Sequence, residues 1–232
     1  MIAAETARMI LRGAETDFIA TSKQAAAALL RRKLQTSDLP NLAEILSQIF
    51  VITGWFQDAP DASTPAESAD ETSDEPTLTP DVVAFFKMLL NRLATVRLDP
   101  TEHPEGDLLY HALQVYELGL AEYDYDEEFL LACLLHDIGY AIDRRQPIPA
   151  VLEVIGRFLT ERTRFLIEFL PEARDYMKTH KIRGSLRKSE HFEDLQLLAL
   201  LDLKGRKVGA VTATLDEAID YIVSLDSAWD EY

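Results

Sequence analysis

Apolar residues recur at three- and four-residue spacing through most of the chain, with short polar breaks between the runs. That is the period of helices with one buried face, and no alternating strand-like segment longer than a few residues interrupts it. Near the N-terminus, Phe18, Ile19, Ala25, Leu29, Leu30 and Leu34 follow this rule and predict a helix ending on the basic cluster Arg31, Arg32 and Lys33, where cations complement the helix dipole. Ser37-Asp38-Leu39-Pro40 predicts the next start, because Ser or Asp can cap and Pro fits a first turn. That helix runs through Leu42, Ile45, Leu46, Ile49 and Phe50. Further helices are predicted over 82–93, 108–120 and 127–136, in two stretches between 150 and 170 closed by Pro171, over 172–180, over 195–203, and from a capped start at Thr214. The 127–136 segment is apolar on nearly every face, which predicts a central helix. Gly139 beyond it predicts a helix end or a tight approach.

One stretch breaks the pattern. Residues 58–81 hold no basic and no aromatic residue and many acidic ones. Such a segment cannot bury apolar area and repels itself, so it reads as a flexible acidic linker. The chain therefore divides into an N-terminal helical segment (1–56), a linker (57–81) and a larger helical domain (82–232). The expected class is all-α.

Hydrophobic residues make up 47 % of the 232, enough for a sizeable core, and the formal net charge is −17. A surface so acidic repels nucleic-acid phosphate and argues against general DNA or RNA binding. It leaves room for a small phosphorylated substrate, because a bound metal and a few local cations can reverse the field inside a cleft. No apolar run approaches the roughly 20 residues of a membrane span, and Met1-Ile-Ala-Ala-Glu-Thr-Ala-Arg8 lacks the basic-then-apolar order of a secretory signal. The single cysteine, Cys133, sits in an apolar run and reads as a small core residue. With no disulfide possible within the chain, a cytoplasmic location is expected.

Candidate chemistry lies in the larger domain. His111 shares a helix face with Leu108, Val115 and Leu118, so its imidazole is expected to point inward. His136 and Asp137 end the apolar 127–136 run, and Asp202 interrupts Leu197-Leu-Ala-Leu-Leu-Asp-Leu203. Histidine and carboxylate on greasy helices are costly to bury unpaired. A divalent metal ion would pair them, and two His, two Asp and solvent suit Mg, Mn, Fe, Co, Ni or Zn in a near-octahedral site. Such a centre lowers the pKa of bound water and can hold a phosphate oxygen, with Asp137 as the group that orients the attacking water.

His111, His136-Asp137 and Asp202, with the run Leu130-Leu-Ala-Cys-Leu-Leu-His-Asp-Ile-Gly139, resemble the HD superfamily of metal-dependent phosphohydrolases. His103-Pro-Glu-Gly-Asp107 before His111, and Leu201-Asp-Leu-Lys-Gly-Arg206, are similar to the HD domain of tRNA nucleotidyltransferases, over roughly residues 102–210. The chain shows no nucleotidyltransferase catalytic head. The resemblance implies an all-α HD-domain bundle, a divalent metal held by His111, His136, Asp137 and Asp202, and hydrolysis of a small phosphorylated substrate such as a nucleotide. Many catalytic relatives carry Lys or His after the Gly, where this chain has Tyr140. Arg144 and Arg145 follow one turn later and are expected at the surface. The Tyr140 departure leaves a second reading, a ligand-binding or regulatory module that has lost catalysis. Some relatives add two histidines for a second metal, including di-iron oxygenases, and His180 and His191 are the candidates here for a second metal or for substrate. His103 is expected in a loop, stacked or solvated. Among the basic residues of 178–207, Arg206, Arg187 and Lys181 are the candidates for phosphate.

Overall fold

Three helices open the chain, α1 (Ile2–Leu11), α2 (Phe18–Leu29) and α3 (Leu42–Thr53), with α1 packed on both others. The computed structural model describes residues 1–14, 17–30, 32–56 and 76–227. Asp17 caps α2 by accepting the Ala20 N–H at 2.6 Å. The start of α3 differs from the expectation. Its cap is Asn41, which forms a reciprocal box with Glu44, while Ser37 and Asp38 belong to a separate 3-10 turn, Thr36–Asp38. The box satisfies N–H groups at both of its ends, which neither Ser37 nor Asp38 could do from further upstream. Arg32 pairs with Asp38 in that turn and so serves the loop, not the α2 terminus. Arg31 lies outside the described residues.

The next helix, α4 (Pro80–Leu93), takes Thr79 as its cap and Pro80 in its first turn. Of the acidic stretch, residues 57–75 lie outside the described residues. Pro80 and Asp81, assigned to it from composition, open α4, and the Asp81 Oδ2 accepts the Phe56 N–H at 3.0 Å.

The rest is α5 (Leu108–Glu122), α6 (Glu127–Leu135), α7 (Pro147–Ile155), α8 (Glu161–Thr179), the short α9 (Gly184–Arg187), α10 (Phe192–Lys204) and α11 (Leu215–Ser227). The described residues carry no strand, only one isolated bridge between Arg97 and Asp107, and the all-α expectation holds. Helix α6 sits at the centre: every residue from Phe129 to Leu135 is buried, and it packs on α5, α8, α10 and α11. Its all-round apolarity is what four neighbouring helices require. Arg162 joins three of these elements. Its two Nη groups lie 2.7 Å from the Asp126 carboxylate oxygens, and it also reaches Glu128 and Asp194.

Pro171 does not end a helix. It lies inside α8, which continues eight residues further to Thr179. Proline forfeits one backbone hydrogen bond there, but Leu166, Ile167 and Leu170 before it and Ala173 after it are all buried on one face. That burial holds the helix together across the gap, and it carries Arg174 to the interior.

The N-terminal segment packs directly on this body. The Phe18 N–H donates to the Ile142 carbonyl at 2.9 Å, and Arg92 sits over the Phe18 ring. The rings of Phe50, Phe56, Phe85 and Phe158 meet in edge and stacked contacts. Buried apolar residues from Ala7 to Ile222 form one continuous cluster. Among the described residues, no helix is long and apolar enough to cross a membrane.

Candidate metal centre

Four helical elements deliver four side chains to one buried point. His111 stands in the first turn of α5, which Asp107 starts by accepting the Tyr110 N–H. His136 is the cap residue that ends α6, and Asp137 follows it at the head of the 3-10 turn Ile138–Ala141. Asp202 lies in the last turn of α10. All four are buried. Gly205 makes the approach of α10 to α5 possible: a Cβ there would lie 2.7 Å from Val115 Cγ2, so any side chain would push the helices apart. The same approach sets the Gly205 carbonyl 3.0 Å from His111 Nδ1.

That carbonyl can only accept, so Nδ1 of His111 carries a proton and Nε2 faces the cluster. Nε2 of His111 lies 2.9 Å from Asp202 Oδ1 and 4.0 Å from Asp137 Oδ2. Nε2 of His136 lies 3.3 Å from Asp137 Oδ2 and 3.7 Å from Asp202 Oδ1. His136 gives its Nδ1–H to the Cys133 carbonyl at 2.8 Å. Its Nε2 is buried and has no hydrogen-bond partner among the described residues. A divalent ion with bonds of about 2.1 Å sets neighbouring ligand atoms about 3.0 Å apart and opposite ones about 4.2 Å apart. The four nitrogen-to-oxygen separations here run from 2.9 to 4.0 Å, close to that span. His111, His136 and Asp137 lie close enough together to share such an ion, and Asp202 Oδ1 approaches both imidazole nitrogens.

The outer oxygens meet arginines. Arg174, from α8, places Nε 2.7 Å from Asp202 Oδ2, close but not aligned as a hydrogen bond, and Nη2 3.4 Å from Asp137 Oδ1. Arg206 places Nη2 3.2 Å from Asp202 Oδ2 and Nη1 3.2 Å from the Glu102 carbonyl. Burial opposes charge on both aspartates. For Asp137 the His136 and Arg174 charges outweigh it, and for Asp202 the His111 hydrogen bond and Arg174 do, so both pKa values fall below the ordinary range. Burial also opposes charge on His111, but Asp202 and Glu105 push its pKa up to about 9.

Behind His111 lies a further layer. Glu105 Oε1 sits 3.1 Å from His111 Nδ1 and 2.9 Å from His103 Nδ1, and both Glu105 and His103 are buried. The site thus takes His103 into its interior, where its ring meets His111 edge-on at 5.1 Å, instead of leaving it solvated. His103, Glu105 and His111 also lie close enough to share an ion. The proton on His111 Nδ1 makes Glu105 its acceptor instead, an outer partner that fixes the ring and raises its basicity.

Two cavities border the cluster. One, of about 140 Å³, touches His136, Asp137 and Pro147. The other, of about 310 Å³, touches Asp99, Glu102, His103, Lys178 and Arg206. Tyr140 and Arg174 line both. The remaining candidates stay outside. His180 is the exposed left-handed cap of α8, and His191 packs its ring against Phe165. Neither joins a donor group among the described residues, so the histidine pair that a di-iron centre requires is not assembled. Lys181 and Arg187 are exposed and line neither cavity, whereas Arg206 touches Asp202 and lines the larger one. Arg144 and Arg145 are exposed. Cys133 is fully buried and burial pushes its thiol pKa up, which makes it inert.

Sequence reasoning missed Arg174 and Glu105. Arg174 follows Leu170 by four residues and Ile167 by seven, a charged residue on an apolar stripe, but the break assumed at Pro171 hid that register. No protein-family model matches the chain, and no curated protein matches it.

Proposed function

We propose that this chain is a divalent-metal-dependent phosphohydrolase of the HD type, acting on a small phosphorylated substrate of the nucleotide class. The observation that carries the reading is the buried, partnerless Nε2 of His136, aimed where His111, Asp137 and Asp202 converge. A buried imidazole nitrogen without a partner is costly, and a cation removes that cost. His111, His136, Asp137 and Asp202 would hold the ion. Once bound, it supplies an acidified water and a Lewis-acidic contact for a phosphoryl oxygen.

The chain's own residues supply the rest. Asp137, ionised and at a cavity wall, can orient an attacking water by accepting a hydrogen bond from it. Arg206 and Lys178 line the larger cavity, beside Asp99 and Glu102, and offer positive charge to phosphate in a chain whose net charge is −17. Tyr140, half-buried between the cavities, favours a second reading, a module that binds the same ligands without turnover, because a phenol at that position brings no cation.

Elemental analysis of the purified protein, followed by phosphate release from a panel of nucleotides, tests both. The expected result is one divalent ion per chain and metal-dependent release of phosphate, abolished by chelator and by Asp137→Ala. Release that survives either treatment refutes the enzyme reading. Thermal stabilisation by nucleotides without release supports the binding module.

A further inference from the structure

We infer that Arg174 is the residue that takes a peripheral phosphate oxygen at this centre, while also holding the outer oxygens of Asp137 and Asp202. The inference rests on the metal-dependent reading above and goes beyond it, because neither the helix pattern nor the resemblance singles out this residue.

Two observations carry it. First, the guanidinium is used on one side only. Nε and Nη2 face the two carboxylates, and Nη1 has no hydrogen-bond partner among the described residues. The side chain is 23 % exposed, so the free edge is reachable. Second, Arg174 stands at the boundary between the donor cluster and both cavities. An oxyanion seated beside His136 and Asp137 would lie in one of these cavities against Arg174, and Arg174 also lines the other, which Lys178, Arg206, Asp99 and Glu102 share.

Arg174 holds Asp137 and Asp202 by their outer oxygens and leaves the inner ones to the imidazole pair. Cation and guanidinium can therefore be present together, and a phosphate placed between them would be held from two sides.

Manganese and inorganic phosphate serve as probes. Wild-type protein is expected to take up one Mn²⁺ and, once loaded, to bind phosphate. Arg174→Gln, which keeps an N–H for Asp202 but no charge, is expected to retain Mn²⁺ and to lose about tenfold or more in phosphate affinity. Arg174→Lys is expected to fall between the two. In addition, phosphate should shield Arg174 of the loaded wild-type protein from phenylglyoxal, read by peptide mass mapping, a measurement that needs no variant. Unchanged phosphate affinity in Arg174→Gln, loss of Mn²⁺ together with phosphate, or absence of shielding each overturns the inference. A wild-type protein that takes up no Mn²⁺ sinks the metal-dependent reading itself, which is a distinct result.

Discussion

The Nδ1–H of His136 points at the carbonyl oxygen of Cys133, 2.8 Å away and three residues back along α6. A carbonyl only accepts, so a neutral His136 ring must carry its lone pair on Nε2, the atom that faces Asp137 and Asp202. Nitrogen-15 NMR of metal-free protein should therefore find His136 as the Nδ1–H tautomer. Added Zn²⁺ should move the Nε2 resonance and leave the Nδ1–H in place. A spectrum with the proton on Nε2 would contradict this account of the site.

His111 supplies a pH dependence. Asp202 and Glu105 face its ring directly, and Asp137, His136, His103 and Arg174 surround that group of three. Burial lowers the imidazole pKa, but the carboxylates carry it up to about 9, above its unfolded value of about 6.5. A base whose pKa rises on folding contributes stability that is fully present below the unfolded value and is lost as pH climbs through the folded one. Chelator-treated protein is expected to melt at a lower temperature at about pH 9.5 than at about pH 6.5, by more than His111→Gln does. Cation uptake runs the other way. The ion replaces the Nε2 proton, so apparent affinity should strengthen as pH rises toward about 9. An affinity flat across this window would remove His111 from the ligand set.

Gly139 is expected to tolerate no side chain. A Cβ there would lie 2.1 Å from the backbone oxygen of Pro147, at the start of α7. Backbone cannot rotate away as a flexible side chain would, so Gly139→Ala should cost about 3 kcal/mol in urea unfolding, near the upper end for overpacking. Because Asp137 lies two residues before it, the same variant should also weaken cation binding. A stability loss under about 0.5 kcal/mol, the range of ordinary surface substitutions, would show that the turn relaxes freely.

How much of this was legible varies element by element. The period of apolar residues located α5, α6 and α10 closely, because each buries a face and the spacing of that face is written in the residues. It also placed His111 and Asp202 inside, since a polar residue on an apolar stripe goes where the stripe goes. The same rule would have found Arg174 had α8 been followed through Pro171. Glu105 had no such signal: it lies in a loop before α5, where no period operates, and it is buried because His103 and His111 close over it.

The amino-acid pattern alone determined the helical class, the central place of α6 and the inward direction of the His and Asp side chains, because each follows from local spacing and the cost of exposing apolar surface. Only the packed chain decided which polar residues share one point. It drew Arg174, Glu105 and His103 in and left His180, His191, Lys181 and Arg187 out. Those outcomes depend on helix crossings between residues some 30 to 100 positions apart, such as the contact of His111 with Asp202 across 91 residues. Local periodicity carries no information about such distances, and close packing through Gly205 sets them.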